Sequence, residues 1–272
     1  MSMQLIEAGY TLRWATYTDG FLEGVSLSAA DELNRWQKYA FGVSEVAANP
    51  FRYWFTRSPM SKLFRRYLWG PAPISLKYNT IAYLSSYLAL AVGAPLALSL
   101  YLVYGLFVDT IDFAFLPQLS QLISVMFVFV VVGNLATVVS RYRNRHASLP
   151  RAVLDALRWL PFLCVFFSGL SIHICTALLA HLTGYNMQWS ATEKEVTQSS
   201  IWREIPLIFK RFWVAFAIML PFIAGVAILA TPMVPIGWRI EYMSVMLPAL
   251  WTAVGHLLFP FLLNPWVVSL SY

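Results

Sequence analysis

The sequence predicts a mainly α protein of polytopic membrane helices, about four spans plus interfacial helices, with a short α/β remnant at the N-terminus. Three observations predict it. First, 59% of the 272 residues are hydrophobic and only 12% are charged. Soluble domains carry about 25% charged residues, so this chain has too little polar surface for water. The mean hydropathy of +0.62 agrees. Second, the apolar residues fall in runs long enough to cross a bilayer. Third, the basic residues gather in the segments between those runs.

Residues 1–20 do not read as a signal peptide, because no basic stretch precedes an apolar core. They resemble the interior of a globular domain: an amphipathic helical turn, a Gly9-Tyr10 turn, then a strand-like Leu12–Tyr17. A helix follows within residues 25–48. Ser28 and Asp31 form a helix-start signal, and Asn49-Pro50 closes the helix. On it, Glu32, Arg35 and Trp36 fall at i, i+3 and i+4 and share one face. An indole can stack on the apolar face of a sugar ring, while the carboxylate and guanidinium bind hydroxyls or phosphate. The same triplet also fits an ordinary surface ion pair beside a buried tryptophan. Residues 1–48 are therefore read as the domain remnant.

Residues 49–77 are read as an amphipathic interface helix. Within 51–69, aromatic residues alternate with Arg52, Arg57, Lys62, Arg65 and Arg66. That composition suits the headgroup plane, with cations at phosphates and rings at the acyl boundary. A nucleic-acid patch fits less well, because an apolar span follows at once.

Residues 78–272 are read as the membrane domain. A span needs about 20 apolar residues. The runs Thr80–Val108, Leu119–Val139, Trp213–Ala230 and Met243–Leu263 are taken as spans. The run Leu157–Leu182 is also long enough to cross. The basic residues decide between the two arrangements. Residues 1–77 hold nine Lys/Arg, 140–158 five, 184–211 four and the 231–242 loop one, Arg239. With five crossings, 15 of the 19 basic residues lie inside; with four, 18 of 19 do. The positive-inside rule favours four crossings. Segment 151–182 is then interfacial or re-entrant, which Pro161 and Gly169 permit. The net charge of +6 suits loops beside anionic lipid headgroups, and no nucleic-acid partner is expected. Cys164 and Cys175 read as buried thiols, and no histidine has metal-ligand spacing.

The stretch Gly9-Tyr10 … Glu32-Leu33-Asn34-Arg35-Trp36-Gln37-Lys38-Tyr39 resembles the acceptor end of processive family 2 glycosyltransferases. These are the cellulose, chitin and hyaluronan synthases, and the fungal type is nearest. Their Gln-x-x-Arg-Trp signature stands here as Glu32-x-x-Arg35-Trp36. The resemblance implies that Trp36 is a stacking platform for the terminal sugar, that Arg35 binds the acceptor, and that Glu32 binds its hydroxyls. Trp189-Ser190-Ala191-Thr192-Glu193-Lys194 is similar to the family's gating loop, placed here at 185–200. By that likeness Trp189 takes the aromatic position, and Thr192 and Lys194 contact the donor or its diphosphate.

The order of parts along nearly the whole chain is similar to the family's. The family's D-x-D motif and the acidic pair of its GT-A domain do not occur in this sequence. The resemblance thus implies the C-terminal part of a longer synthase, inactive in isolation. No catalytic residue, metal ligand or cofactor is expected in this chain; the full-length enzyme is expected to use Mg or Mn. The implied partners are a nucleotide-sugar, a growing polysaccharide and membrane lipid. The implied setting is the plasma membrane and cell-wall or extracellular polysaccharide synthesis, with a cytosolic N-terminus. A non-processive relative would glycosylate a lipid. The alternative is a non-enzymatic membrane transporter or scaffold protein; it predicts inverted repeats and ionisable residues within spans, and the spans here are nearly free of charge.

The four-crossing topology has a direct check. A cysteine at position 199 (Ser199→Cys) is expected to react with an impermeant thiol reagent only after permeabilisation. Labelling of intact cells would favour five crossings.

Overall fold

The structure is a computed structural model that describes residues 2–13, 26–189 and 200–266. It is mainly helical, and the described residues contain no strand. The strand-like segment therefore finds no strand at Leu12–Arg13, and its continuation from Trp14 lies outside the described residues. The short helix α1 spans Ser2–Glu7.

Helix α2 runs Ala29–Ala47. Ser28 caps it as the sequence suggests: its Oγ accepts from the Asp31 N–H at 3.1 Å and donates to Asp31 Oδ2 at 2.8 Å. Pro50 forbids a helical conformation at the residue before it, so α2 stops short of Asn49.

Residues 49–77 depart from the expected single helix. They form a 3₁₀ turn at Phe51–Tyr53, then α3 at Lys62–Trp69, and then the first turn of a longer helix. Prolines 50, 59, 71 and 73 punctuate the stretch and each removes a backbone donor. Ser61 caps α3 by accepting from the Phe64 N–H at 3.1 Å.

Helix α4 is Ile74–Leu106. Next come α5, Leu119–Met126, a π-helical turn Phe127–Val132, and α6, Gly133–Arg143, which together make one 25-residue apolar helix. Helix α7 is Leu149–Ser168 and α8 is Ser171–Thr183. Helix α9 is Ile201–Leu229 and α10 is Met243–Leu262. Four helices are long and apolar enough to cross a membrane: α4, α5 through α6, α9 and α10. They coincide with the four expected spans. Helix α9 starts earlier than the apolar run because its first turns carry Arg203, Glu204, Lys210 and Arg211.

The expected re-entrant segment is a broken pair. Helices α7 and α8 meet at Gly169–Leu170 with a bend of 41°. Pro161 lies inside the continuous part of α7. The break thus falls at the glycine and not at the proline.

The chain divides into two units. The described residues of 1–92, 170–211 and 263–272 form one; 93–169 and 212–262 form the other. In the first, α2 packs along α8. Leu33, Ala40 and Val43 of α2, and Ile174, Ala177 and Leu178 of α8, are buried. Two polar contacts fix the register: Gln37 Nε2 donates to the His173 carbonyl at 3.1 Å, and Ser44 Oγ lies 2.8 Å from His181 Nδ1. Ser171 Oγ donates to the Ala91 carbonyl of α4 at 3.2 Å. Gly184 ends α8 in the left-handed region at φ +80°, which favours glycine, and the Tyr185 N–H caps the Ala180 carbonyl at 2.7 Å.

In the second unit, Tyr101, Val226, Ile240, Val245 and Ala249 form a buried cluster. Helices α7 and α10 approach through small residues. A Cβ on Gly169 would stand 2.2 Å from Phe259 Cβ and 2.9 Å from the Gly255 carbonyl oxygen. Close approach of this kind is how apolar helices associate where burial from water gives no drive.

Gly169→Ala is therefore expected to destabilise by about 1–3 kcal/mol, as overpacking does. Thermal unfolding in detergent checks it; an unchanged midpoint would mean that the α7–α10 contact yields without cost.

Candidate functional site

The face of α2 predicted from spacing exists. Glu32 is buried, Arg35 is exposed and Trp36 is half-buried. Glu32 Oε1 accepts two bonds at once: from Arg35 Nη2 at 2.5 Å and from Trp36 Nε1 at 2.9 Å. One buried carboxylate oxygen thus fixes both the guanidinium and the indole. Charge-assisted bonds of this type are the stronger ones. Glu32 was expected to bind acceptor hydroxyls; in this geometry it holds the two side chains beside it.

The indole is also supported from α4. Trp36 and Tyr87 have ring centroids 5.9 Å apart, tilted by 44°. Tyr87 in turn meets Tyr83 edge-on at 5.3 Å, with their hydroxyls 3.3 Å apart. Tyr83, with Lys38, Tyr39, Asn79 and Thr80, lines a cavity of about 610 Å³. Three aromatic rings, Trp36, Tyr87 and Tyr83, therefore run in series from α2 onto α4. The two tyrosines were not singled out in the sequence. Their i, i+4 spacing at the start of the first span was a signal, but nothing local said which helix they would meet.

The rest of α2 is tied down by partners far away in sequence. Arg211 of α9 donates to Asn34 Oδ1 and to Gln37 Oε1, the latter at 3.4 Å. Gln37 Nε2 reaches α8 as described above. The α2 N-terminus receives a further bond, from the Ala29 N–H to the Leu263 carbonyl. Near the C-terminal end of the described chain, the buried Glu204 accepts from the Trp266 N–H at 2.9 Å.

Of the residues assigned to the gating loop, Trp189 is described. It is half-buried and meets Phe41 of α2 edge-on at 5.6 Å. Phe41 also meets His181 edge-on at 5.5 Å. Trp189 therefore rests on the same helix that carries Glu32, Arg35 and Trp36. Thr192 and Lys194 lie outside the described residues. Among the described residues, no group of three His, Cys, Asp or Glu side chains could hold a metal ion. Cys164 and Cys175 are free thiols and half-buried.

The sequence model of the family described as Glycosyl transferase family group 2 matches residues 1–108. That stretch is a family 2 glycosyltransferase-like region, and it contains α2 and the whole of α4. It ends before Trp189 and the remaining spans. Comparisons with curated proteins and with solved structures gave no match.

Substitution separates the two bonds at Glu32. Glu32→Ala removes both and is expected to cost about 1–2 kcal/mol. Arg35→Ala removes only the ion pair, whose guanidinium side is 43% exposed, and is expected to cost less than about 1 kcal/mol. Paired thermal unfolding checks this. Equal losses would assign no stability to the indole bond.

Proposed function

We propose that this chain is the acceptor-binding and polymer-translocation part of a membrane glycosyltransferase that extends a polysaccharide from a nucleotide-sugar donor. The observation that carries the reading is the pair of hydrogen bonds accepted by Glu32 Oε1, which holds Trp36 and Arg35 side by side on α2. The likeness of residues 1–108 to family 2 glycosyltransferases supports it. So does the presence of four helices fit to cross a membrane.

On this reading the terminal sugar stacks its C–H face on the Trp36 ring. Stacking needs a ring whose tilt is set beforehand, and the Nε1 bond and Tyr87 set it. Arg35, more exposed than Trp36, offers guanidinium N–H groups to sugar hydroxyls. Trp189 anchors the loop at Phe41, and Thr192 and Lys194 reach the donor diphosphate from the cytosolic side. The N-terminus and the basic loops face the cytosol, and the membrane is the plasma membrane. Transfer itself requires a general base for the acceptor hydroxyl and charge stabilisation for the leaving diphosphate. This sequence has no D-x-D motif, so the roles assigned to it are binding, gating and passage.

The test is incorporation of labelled sugar by membranes carrying the full-length protein, together with oligosaccharide binding to the purified chain. Trp36→Ala is expected to abolish most incorporation and to weaken oligosaccharide binding about tenfold, roughly 1.4 kcal/mol. Unchanged synthesis and binding in that variant would remove Trp36 from the acceptor site.

A further inference from the structure

The segment after α2 carries a feature that the acceptor reading does not use. Residues 50–58 form a closed turn with a pinned neck. The Asn49 side chain donates to the Ser58 carbonyl at 2.8 Å and to the Met60 carbonyl at 3.1 Å, and the Asn49 N–H donates to the Pro59 carbonyl at 2.8 Å. Trp54 Nε1 donates back to the Asn49 carbonyl at 2.7 Å, and the Arg57 N–H to the Tyr53 carbonyl at 2.7 Å. Ser58 takes φ +134°, a strained value for a residue with a side chain. A turn with this many internal bonds holds a defined surface.

That surface has two parts. The first is cationic. The Arg52 and Arg57 guanidiniums lie 4.7 and 4.5 Å from the centroid of one ring, Tyr53. No carboxylate among the described residues pairs with either arginine. The sequence offers none nearby: between Glu45 and Asp109 there is no acidic residue, while Arg52, Arg57, Lys62, Arg65, Arg66 and Lys77 all fall there. Two cations near one ring, with no carboxylate among the described residues beside them, favour an anion there. Guanidinium groups suit phosphate oxygens in particular, which accept several N–H bonds in fork geometry. The second part is apolar. Phe55 is 101% exposed, and Phe51 and Trp54, stacked edge-on at 4.7 Å, are also exposed. The turn thus presents a bare phenylalanine beside an unpaired arginine doublet, and the chain enters its first span at Ile74.

We propose that the 50–58 turn is an anionic-phospholipid anchor: a headgroup phosphate sits at Arg52 and Arg57, and Phe55 inserts at the acyl boundary beneath it. The occupant is a lipid and not a free phosphate, because a soluble anion would satisfy the arginines and leave Phe55, Phe51 and Trp54 in water. A membrane surface satisfies both parts together. The anchor is independent of any glycosyl chemistry. It ties the neck that follows α2 to the headgroup plane, and so sets the depth of the acceptor helix.

The experiment uses the whole chain in nanodiscs. Phe55→Cys is made in a Cys164→Ser/Cys175→Ser background and labelled with an apolar fluorophore. The expected result is quenching by lipids brominated near the headgroup end of the acyl chain. It should strengthen when phosphatidylglycerol is mixed into phosphatidylcholine, and weaken as salt is raised. Adding Arg52→Gln/Arg57→Gln should remove the phosphatidylglycerol effect, lowering apparent affinity for the anionic lipid roughly thirtyfold. Arg52→Lys/Arg57→Lys keeps the charge and should retain part of the effect, which guards against a folding artefact. A fluorophore that is unquenched in both lipid mixtures would overturn the anchor. So would protection of the fluorophore by inorganic phosphate or a nucleoside diphosphate in lipid-free micelles equal to that given by the anionic lipid. Quenching identical with and without phosphatidylglycerol would overturn the phosphate assignment. Protection seen in native membranes but absent from nanodiscs would point to a protein partner and overturn it too.

Discussion

The contact between α2 and α8 is the constraint on which the candidate site depends. Helix α2 has 19 residues and is rich in polar residues at its N-terminal end; like most helices in proteins it owes its stability chiefly to the packing of its apolar face. Packed on α8 it buries Leu33, Ala40 and Val43. The two polar links, Gln37 to the His173 carbonyl and Ser44 to His181, allow only one register. A slip along the axis would leave buried donors and acceptors unmatched, which costs more than the bonds gain. Because α2 cannot rotate, the face carrying Glu32, Arg35 and Trp36 is fixed. Because α8 runs directly into the 185–200 segment through the Gly184 cap, the Trp189 contact with Phe41 follows from the same packing.

Within the site, one carboxylate sets the order. Glu32 sits below the surface and takes both neighbours on a single oxygen. A glutamine at this position, as in the family signature, could accept in the same way through its amide oxygen. The departure from the signature therefore leaves the orienting role intact. It adds a negative charge that Arg35 offsets at close range. Tyr87 then supports the indole from α4.

The membrane helices follow a different rule. The 25-residue helix formed by α5 through α6 has only 6% of its apolar window buried within the protein. Its valine, leucine and phenylalanine side chains are mostly exposed, which a lipid environment tolerates and water does not. Where α7 meets α10 in the second unit, the contact uses glycines: Gly169 against Phe259, and Gly255 against Ser168. There close approach adds to the hydrophobic cluster around Tyr101 and Val226. The α7–α8 break at Gly169 belongs to this pattern, since the residue that lets α7 reach α10 is also the one at which the helix stops.

The sequence by itself determined the class. Apolar runs longer than a bilayer is thick have few other fates, so the long apolar helices were legible from composition and length, and only the distribution of basic residues set the fifth run apart. The shared face of Glu32, Arg35 and Trp36 was legible too, because helical periodicity is local. Prolines 50, 59, 71 and 73 also carried the information that 49–77 would not be one helix; aromatic and basic alternation masked it. The tertiary structure alone decided the rest. That Trp36 leans on Tyr87, that Arg211 reaches Asn34 and Gln37, and that Phe41 receives Trp189 are pairings across tens to well over a hundred residues. No periodicity encodes them. They exist because helix packing brings distant faces together, and only the packed chain shows which polar groups then satisfy one another.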